Sequence, residues 1–221
     1  MKKCLFAGFA FAFIFSASAN VISHWTFETS KPATAGPVDP EIGNGAATGV
    51  HASSSTTYSN PAGYASSESW SANHWAVDDY WQFQVSTLGF ENLQVSYSQS
   101  GSGTGPRDFN FEYSTDGSTF TVFQSYQLSD ADTWNSKSFD LSSMPLFNNA
   151  ATIYFRLANT SDINFSGSSI GTSGSDRIDN FLVTGTPVAR TPESLPSGFC
   201  SLALSGFVFL SRKVFLRIQN P

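Results

Sequence analysis

Residues 80–86 read YWQFQVS, and the alternation in this stretch decides the fold class. Trp81, Phe83 and Val85 fall on one side of an extended chain, with Gln82 and Gln84 on the other. A period of two is the mark of a strand with one face buried. The same pattern recurs at 92–98, NLQVSYS, with Leu93, Val95 and Tyr97. It returns at 108–114, DFNFEYS, with Phe109, Phe111 and Tyr113, and at 152–157, TIYFRL, with Ile153, Phe155 and Leu157. No comparable stretch has helical spacing. The segment YSTDGSTF carries Asp116-Gly117, a pair suited to a tight hairpin that needs positive φ. These signals predict an all-β fold of eight to ten strands, an antiparallel two-sheet β-sandwich with a jelly-roll-like arrangement. The run from Thr29 to Ala76, rich in Gly, Ala, Ser, Thr and Asn, is too long for a structureless loop and is expected to hold one or two short edge strands.

Outside this region both ends of the chain are apolar. The start, MKKCLFAGFAFAFIFSASAN, sets Lys2 and Lys3 before an apolar segment from Cys4 to Phe15 and closes on small residues. It reads as a signal peptide, residues 1–19, cleaved by signal peptidase between Ala19 and Asn20. At the other end Leu195 to Leu210 is uncharged, and Arg212, Lys213 and Arg217 follow. A helical span needs about 20 apolar residues, so residues 195–217 are read as a short C-terminal transmembrane helix with snorkelling basic residues, and a last element of the folded domain is the competing reading. The sandwich then occupies 20–187 and a linker 188–194.

Charge and cysteine content narrow the function classes. Between Asn20 and Pro187 there are sixteen acidic residues and five basic ones, an excess of eleven negative charges, which argues against a nucleic-acid partner. Cys4 and Cys200 both fall in the terminal segments, so no disulfide is expected in the domain. With 21 phenylalanines the chain has aromatic area to build a core without one. The three histidines, His24, His51 and His74, lack the His-Glu-x-x-His spacing of a metalloprotease, and no Gly-x-Ser-x-Gly elbow is present. Gly101, Gly103 and Gly105 in GSGTG lie between strands and read as a hairpin loop rather than a phosphate cradle. A paired-carboxylate glycosidase remains open, since many acidic pairs could meet.

Two resemblances add to this reading. The tail, with Thr191-Pro192-Glu193-Ser194, then the apolar span, then Arg212-Lys213, resembles the PEP-CTERM sorting tail in degenerate form. That resemblance implies export, recognition of Pro192 and Glu193 by an exosortase-like membrane protease, and anchoring at, or release from, the cell envelope beside exopolysaccharide. The segments HWTFE, DDYWQFQV, GTGPRDF, FRLANTS and GSDRIDNFLVTG resemble poorly characterised exported bacterial β-sandwich modules and, more distantly, jelly-roll carbohydrate-binding modules. From the latter likeness Glu28 and Asp179 would hold a structural calcium ion, with Asp39 and carbonyls of the loop 29–44 completing the oxygens. The alternative is that Asp179, expected on the face of Phe181 and Val183, caps a turn or pairs with Arg177 or Arg156.

For an extracellular polysaccharide partner, the stretch SESWSANHWAVDDYW supplies Trp70, His74 and Trp75, with Tyr64 upstream, as candidate glycan-binding residues; the alternative makes the two tryptophans core lids beneath a long loop. The expected function is an exported, non-catalytic envelope or matrix component. A carbohydrate-binding module is the alternative, and a jelly-roll glycan hydrolase or lyase the second.

Overall fold

The computed structural model describes residues 18–189, and within them the chain is all-β, two antiparallel sheets packed as a sandwich. The signal-peptide body, the sorting residues Pro192, Glu193, Arg212 and Lys213, and the apolar span 195–217 lie outside the described residues. Asn20, the expected first residue of the mature chain, opens the first strand.

The strands are β1 (Asn20–Trp25), β2 (Ile42–Gly43), β3 (Gly45–Val50), β4 (Tyr58–Ser59), β5 (Trp70–Asn73), β6 (Tyr80–Val85), β7 (Phe90–Gly101), β8 (Asp108–Ser114), β9 (Thr121–Gln127), β10 (Asn135–Asp140), β11 (Ile153–Asn159) and β12 (Ser175–Pro187). One sheet runs β10-β7-β12-β1-β2, with β5 pairing the first half of β12 and β4 flanking β5. The other runs β3-β6-β11-β8-β9. Among the described residues the helical element is one 3-10 turn, Pro145–Phe147.

The period-two stretches become β6, β7, β8 and β11, and their apolar residues from Trp81 to Leu157 are buried, with Tyr113 packed partly buried against the core. Across the sandwich Phe83 of β6 stacks on Phe181 of β12, ring centroids 3.5 Å apart and planes 1° from parallel. Trp25 meets both rings edge-on. Phe111 and Phe139 form a second stack at 4.2 Å. Each such ring removes roughly 150–250 Å² from water, which accounts for a core without cross-links.

Three local expectations are corrected. The region 29–76 holds four strands, β2 to β5, not one or two, because its two-residue pieces find backbone partners on β1 and β5. GSGTG is not a hairpin loop: β7 pairs β10 and β12 while β8 pairs β9 and β11, so these glycines carry the chain from one sheet to the other. A Cβ on Gly105 would stand 2.2 Å from the Ser175 carbonyl, which explains the glycine there. Finally, β12 does not alternate cleanly. Asn180 sits at φ 53°, and the pairing with β7 shifts between Asp179 and Leu182. This bulge moves Asp179 off the face of Phe181 and Val183. It stands opposite Ser98, on the outer face, while Asp176 and Ile178 take the inner one.

Candidate functional site

The outer face of the larger sheet carries a groove of about 450 Å³. Its floor is made of small hydroxyl side chains: Ser96 and Ser98 project from β7 opposite Val95 and Tyr97, and Ser138 and Ser136 face them from β10. His24 of β1, with Asn180 and Leu182 of β12, closes one side. Tyr64, 45% exposed, hangs over it, and the half-buried Trp134 meets the Tyr64 ring at 6.3 Å and 60°. The serine strands, with Tyr97 and Leu182 beside them, make a shallow floor that mixes hydroxyls with a larger share of apolar surface, and the Tyr64 ring adds an aromatic edge, a mixture suited to sugar recognition.

Tyr64 is positioned by two acidic residues. The Asp179 carboxylate is fully buried; its Oδ2 accepts from the Tyr64 amide at 2.7 Å and from Ser66 Oγ at 2.9 Å, and its Oδ1 accepts from the Asn180 amide at 2.7 Å. Glu28 Oε1 accepts from the Glu68 amide at 2.9 Å. Glu68 in turn pairs with Lys31, and Ser69 Oγ donates to the Pro61 carbonyl. Loop 61–69 is thereby tied to the body of β12 and to the segment that follows β1, through two of its amides and the Ser66 hydroxyl. Burial pushes the Asp179 carboxyl above its ordinary range, the loop hydrogen bonds pull against that, and Glu28 adds repulsion. His24 is lowered by burial, against a hydrogen bond to Asn180 and the Glu41 charge, so it faces the groove as a neutral imidazole at neutral pH.

Gly63 occupies the point where this anchor is tightest. A Cβ there would lie 2.1 Å from the Glu68 carbonyl, 2.2 Å from Ser66 Oγ and 2.4 Å from Asp179 Oδ2. The donors around it are all oxygen, with two carboxylates that repel each other, a set that suits a hard cation over zinc or copper. Three of the roughly four lone-pair positions of Asp179 are taken by protein donors, so a cation would reach it through the fourth and through Glu28. Among the described residues no three His, Cys, Asp or Glu side chains cluster to hold a metal. Asp39 stands exposed next to Val38, whose backbone pairs with Ala47.

The glycan-binding candidates separate. Tyr64 lines the groove. Trp70 and Trp75, at 0% and 5% exposure, do not: they pack on Trp81 with centroids 4.5 and 5.5 Å away, and Trp75 Nε1 donates to the Ala72 carbonyl. Neither offers a free face, which corrects their expected role as stacking platforms. Tryptophan in a polar stretch here lids the core. His74, half-buried at φ 54°, bonds the Asn73 side chain and is not among the groove residues. Asp79 is buried by two amides, Ala52 and Ala76, at 2.7 Å each. Of the residues missed, Ser96 and Ser98 were legible as the outward positions of the alternating stretch 92–98, whereas Ser136 and Ser138 lie on β10, whose sequence NSKSFD carries no apolar alternation; what hid the group was that neighbouring strands in space are distant in sequence.

The sequence matches no family model and no curated protein. Solved structures do share its shape. The tandem CBM22-1–CBM22-2 domain of Paenibacillus barcinonensis Xyn10C aligns with a TM-score of 0.51 at 13% identity, covering 79% of this chain and 49% of that one. The CBM22-2 xylan-binding domain of the same enzyme gives 0.46 at 14% identity, covering 74% and 98%. The K1 cleaved adhesin domain of Lys-gingipain from Porphyromonas gingivalis W83 gives 0.47 at 12%, covering 76% and 99%. At 13% identity the likeness to the tandem domain is one of fold alone.

Proposed function

We propose that this chain is an exported, non-catalytic jelly-roll protein whose sandwich binds carbohydrate in the groove beneath Tyr64. The observation that carries the reading is the joining of a serine-floored groove to the exposed ring of Tyr64, which the half-buried Trp134 backs from outside the groove lining. Fold likeness to a tandem carbohydrate-binding domain supports it. Among the described residues that line the groove none is Asp or Glu, which favours binding over a paired-carboxylate hydrolysis or lyase step. The PEP-CTERM-like tail and the leader, read from sequence, place this binding at the cell envelope or in the matrix outside it, with signal peptidase and an exosortase-like protease as processing partners.

Affinity electrophoresis through a panel of neutral polysaccharides tests the binding. The chain is expected to be retarded by at least one. Tyr64→Ala and Trp134→Ala should each weaken that retention about tenfold, the loss of one well-placed aromatic contact. Retention unchanged in the double variant would refute the site.

A structural calcium ion belongs to the same proposal, held by Glu28 and Asp179 with backbone and hydroxyl oxygens filling the remaining positions; Asp39, expected as a third carboxylate, does not cluster with these two and is left out of the set. It would neutralise the repulsion between the two carboxylates and stiffen the loop that carries Tyr64. Melting with chelator and with added calcium checks it: the expected result is a lower midpoint in chelator, and an unchanged midpoint removes the ion.

A further inference from the structure

Beyond loop 61–69 the same outer face holds a second cavity, of about 200 Å³. Pro61 lines this one while Tyr64 lines the groove, so the loop is the wall between them. Thr57, Ser59, Ser71, Asn73 and Ser175 surround it with short polar side chains, and Arg177 is the one charged residue among the described residues lining it. Arg177 stands on β12 opposite Ser71 of β5 and Ser100 of β7.

The state of its guanidinium sets Arg177 apart from the other arginines of the domain. Arg107 closes on Asp108 at 2.9 Å. Arg156 lies between the Tyr80 and Phe120 rings, 3.9 and 3.4 Å from their centroids, and donates to Gln82 at 2.9 Å. Among the described residues Arg177 is held by no such partner: the nearest carboxylate, Asp132 Oδ1, stands 3.9 Å away, beyond hydrogen-bonding reach, on a side chain 65% exposed. Its neighbour Asp176 points the opposite way, into the core.

We infer that this cavity is a separate binding site for a sugar carrying a single oxyanion, a carboxylate or a sulfate, which Arg177 would grip as a fork while the hydroxyls around it meet the ring. A planar guanidinium with free donors matches an oxyanion in two-point geometry, which an ammonium would not. The cavity's size limits the ligand to about one ring. The domain's excess of eleven negative charges, sixteen acidic residues against five basic, repels any dense polyanion, so the charge must be isolated on the ligand. The site does not depend on the groove reading, since Tyr64 takes no part in it.

Calorimetric titration of the full chain with glucuronate, galacturonate and glucose 6-sulfate, against glucose and acetate, tests the inference. Saturable binding of at least one charged sugar, weakening with salt and absent for glucose and acetate, is expected; which charged sugar binds identifies the oxyanion. Arg177→Gln should lower that affinity about tenfold or more, the worth of a charge-assisted pair. Asp132→Asn, which removes the one competing carboxylate, should raise it. Tyr64→Ala should leave it unchanged, separating this site from the groove. Equal binding of glucose, equal binding of acetate, no binding of any charged sugar, or affinity indifferent to both Arg177→Gln and Asp132→Asn would each overturn the assignment.

Discussion

Asp176 offers the sharpest test of how the core is built, because burial pushes its carboxyl up to about 8, against hydrogen bonds from Trp81 and Gln99. Trp81 Nε1 donates to Oδ1 at 2.7 Å, and Gln99 Nε2 lies 3.1 Å from both oxygens. Gln99 Oε1 then accepts from Tyr126 at 2.7 Å, so the chain of bonds passes from β6 through β12 and β7 to β9 and ties the two sheets together. The folded state therefore holds a proton that the unfolded chain releases near its ordinary 3.8. Where the native state binds the extra proton, stability falls as pH rises, by up to about 1.36 kcal/mol per unit, until the folded value is passed. Between pH 6.5 and 8 the loss integrates to roughly 2 kcal/mol, or about 4 to 8 °C in midpoint for a domain of this size. Asp176→Asn keeps an acceptor for Trp81 and removes the titration. Thermal melts of both proteins across that window should show the wild type losing those degrees relative to the variant, with the histidines cancelling between them. A gap that stays constant from pH 6.5 to 8 would refute the reasoning.

Other expectations follow from the same structure. Gly63→Ala drives a methyl into three oxygens and should cost about 2 kcal/mol or more, lowering the midpoint and the retention on polysaccharide together. Trp75→Ala should cost about 3–5 kcal/mol in urea unfolding, as for a buried ring, while polysaccharide affinity measured well below the transition stays at the wild-type value. His51, lowered to about 4 by burial, stays neutral in the fold while the unfolded chain takes up its proton near 6.5, so it contributes stability above 6.5 that is lost as pH falls toward 4. His51→Gln should flatten that acid limb in melts at graded pH, and an identical limb would count against it.

The fold was legible because its evidence is local: Trp81, Phe83 and Val85 declare their buried side within six residues, and β7, β8 and β11 repeat the message. The face of Asp179 was not, since one left-handed residue, Asn180, reverses the parity of everything after it, and a bulge leaves no mark on composition. Trp70 and Trp75 misled for a related reason: their polar neighbours describe the loop, while their burial is set by Trp81, which reaches them only through the packing of the sheets. The groove lay deeper still. Ser98 and Ser136 are thirty-eight residues apart in the chain and become partners through the β7–β10 ladder, a pairing that alternation alone cannot assign.

The way loop 61–69 is fastened has a bearing on how such a protein could change its taste. Asp179 grips the peptide nitrogen at position 64, leaving the phenol ring outside the clasp. Whatever side chain is placed there inherits the same lookout over the serine floor, at no expense to the clasp itself. The scaffold thus separates holding from choosing: descendants could trade tyrosine for tryptophan, asparagine or arginine and meet new ligands, while the acid behind the strand goes on keeping the frame.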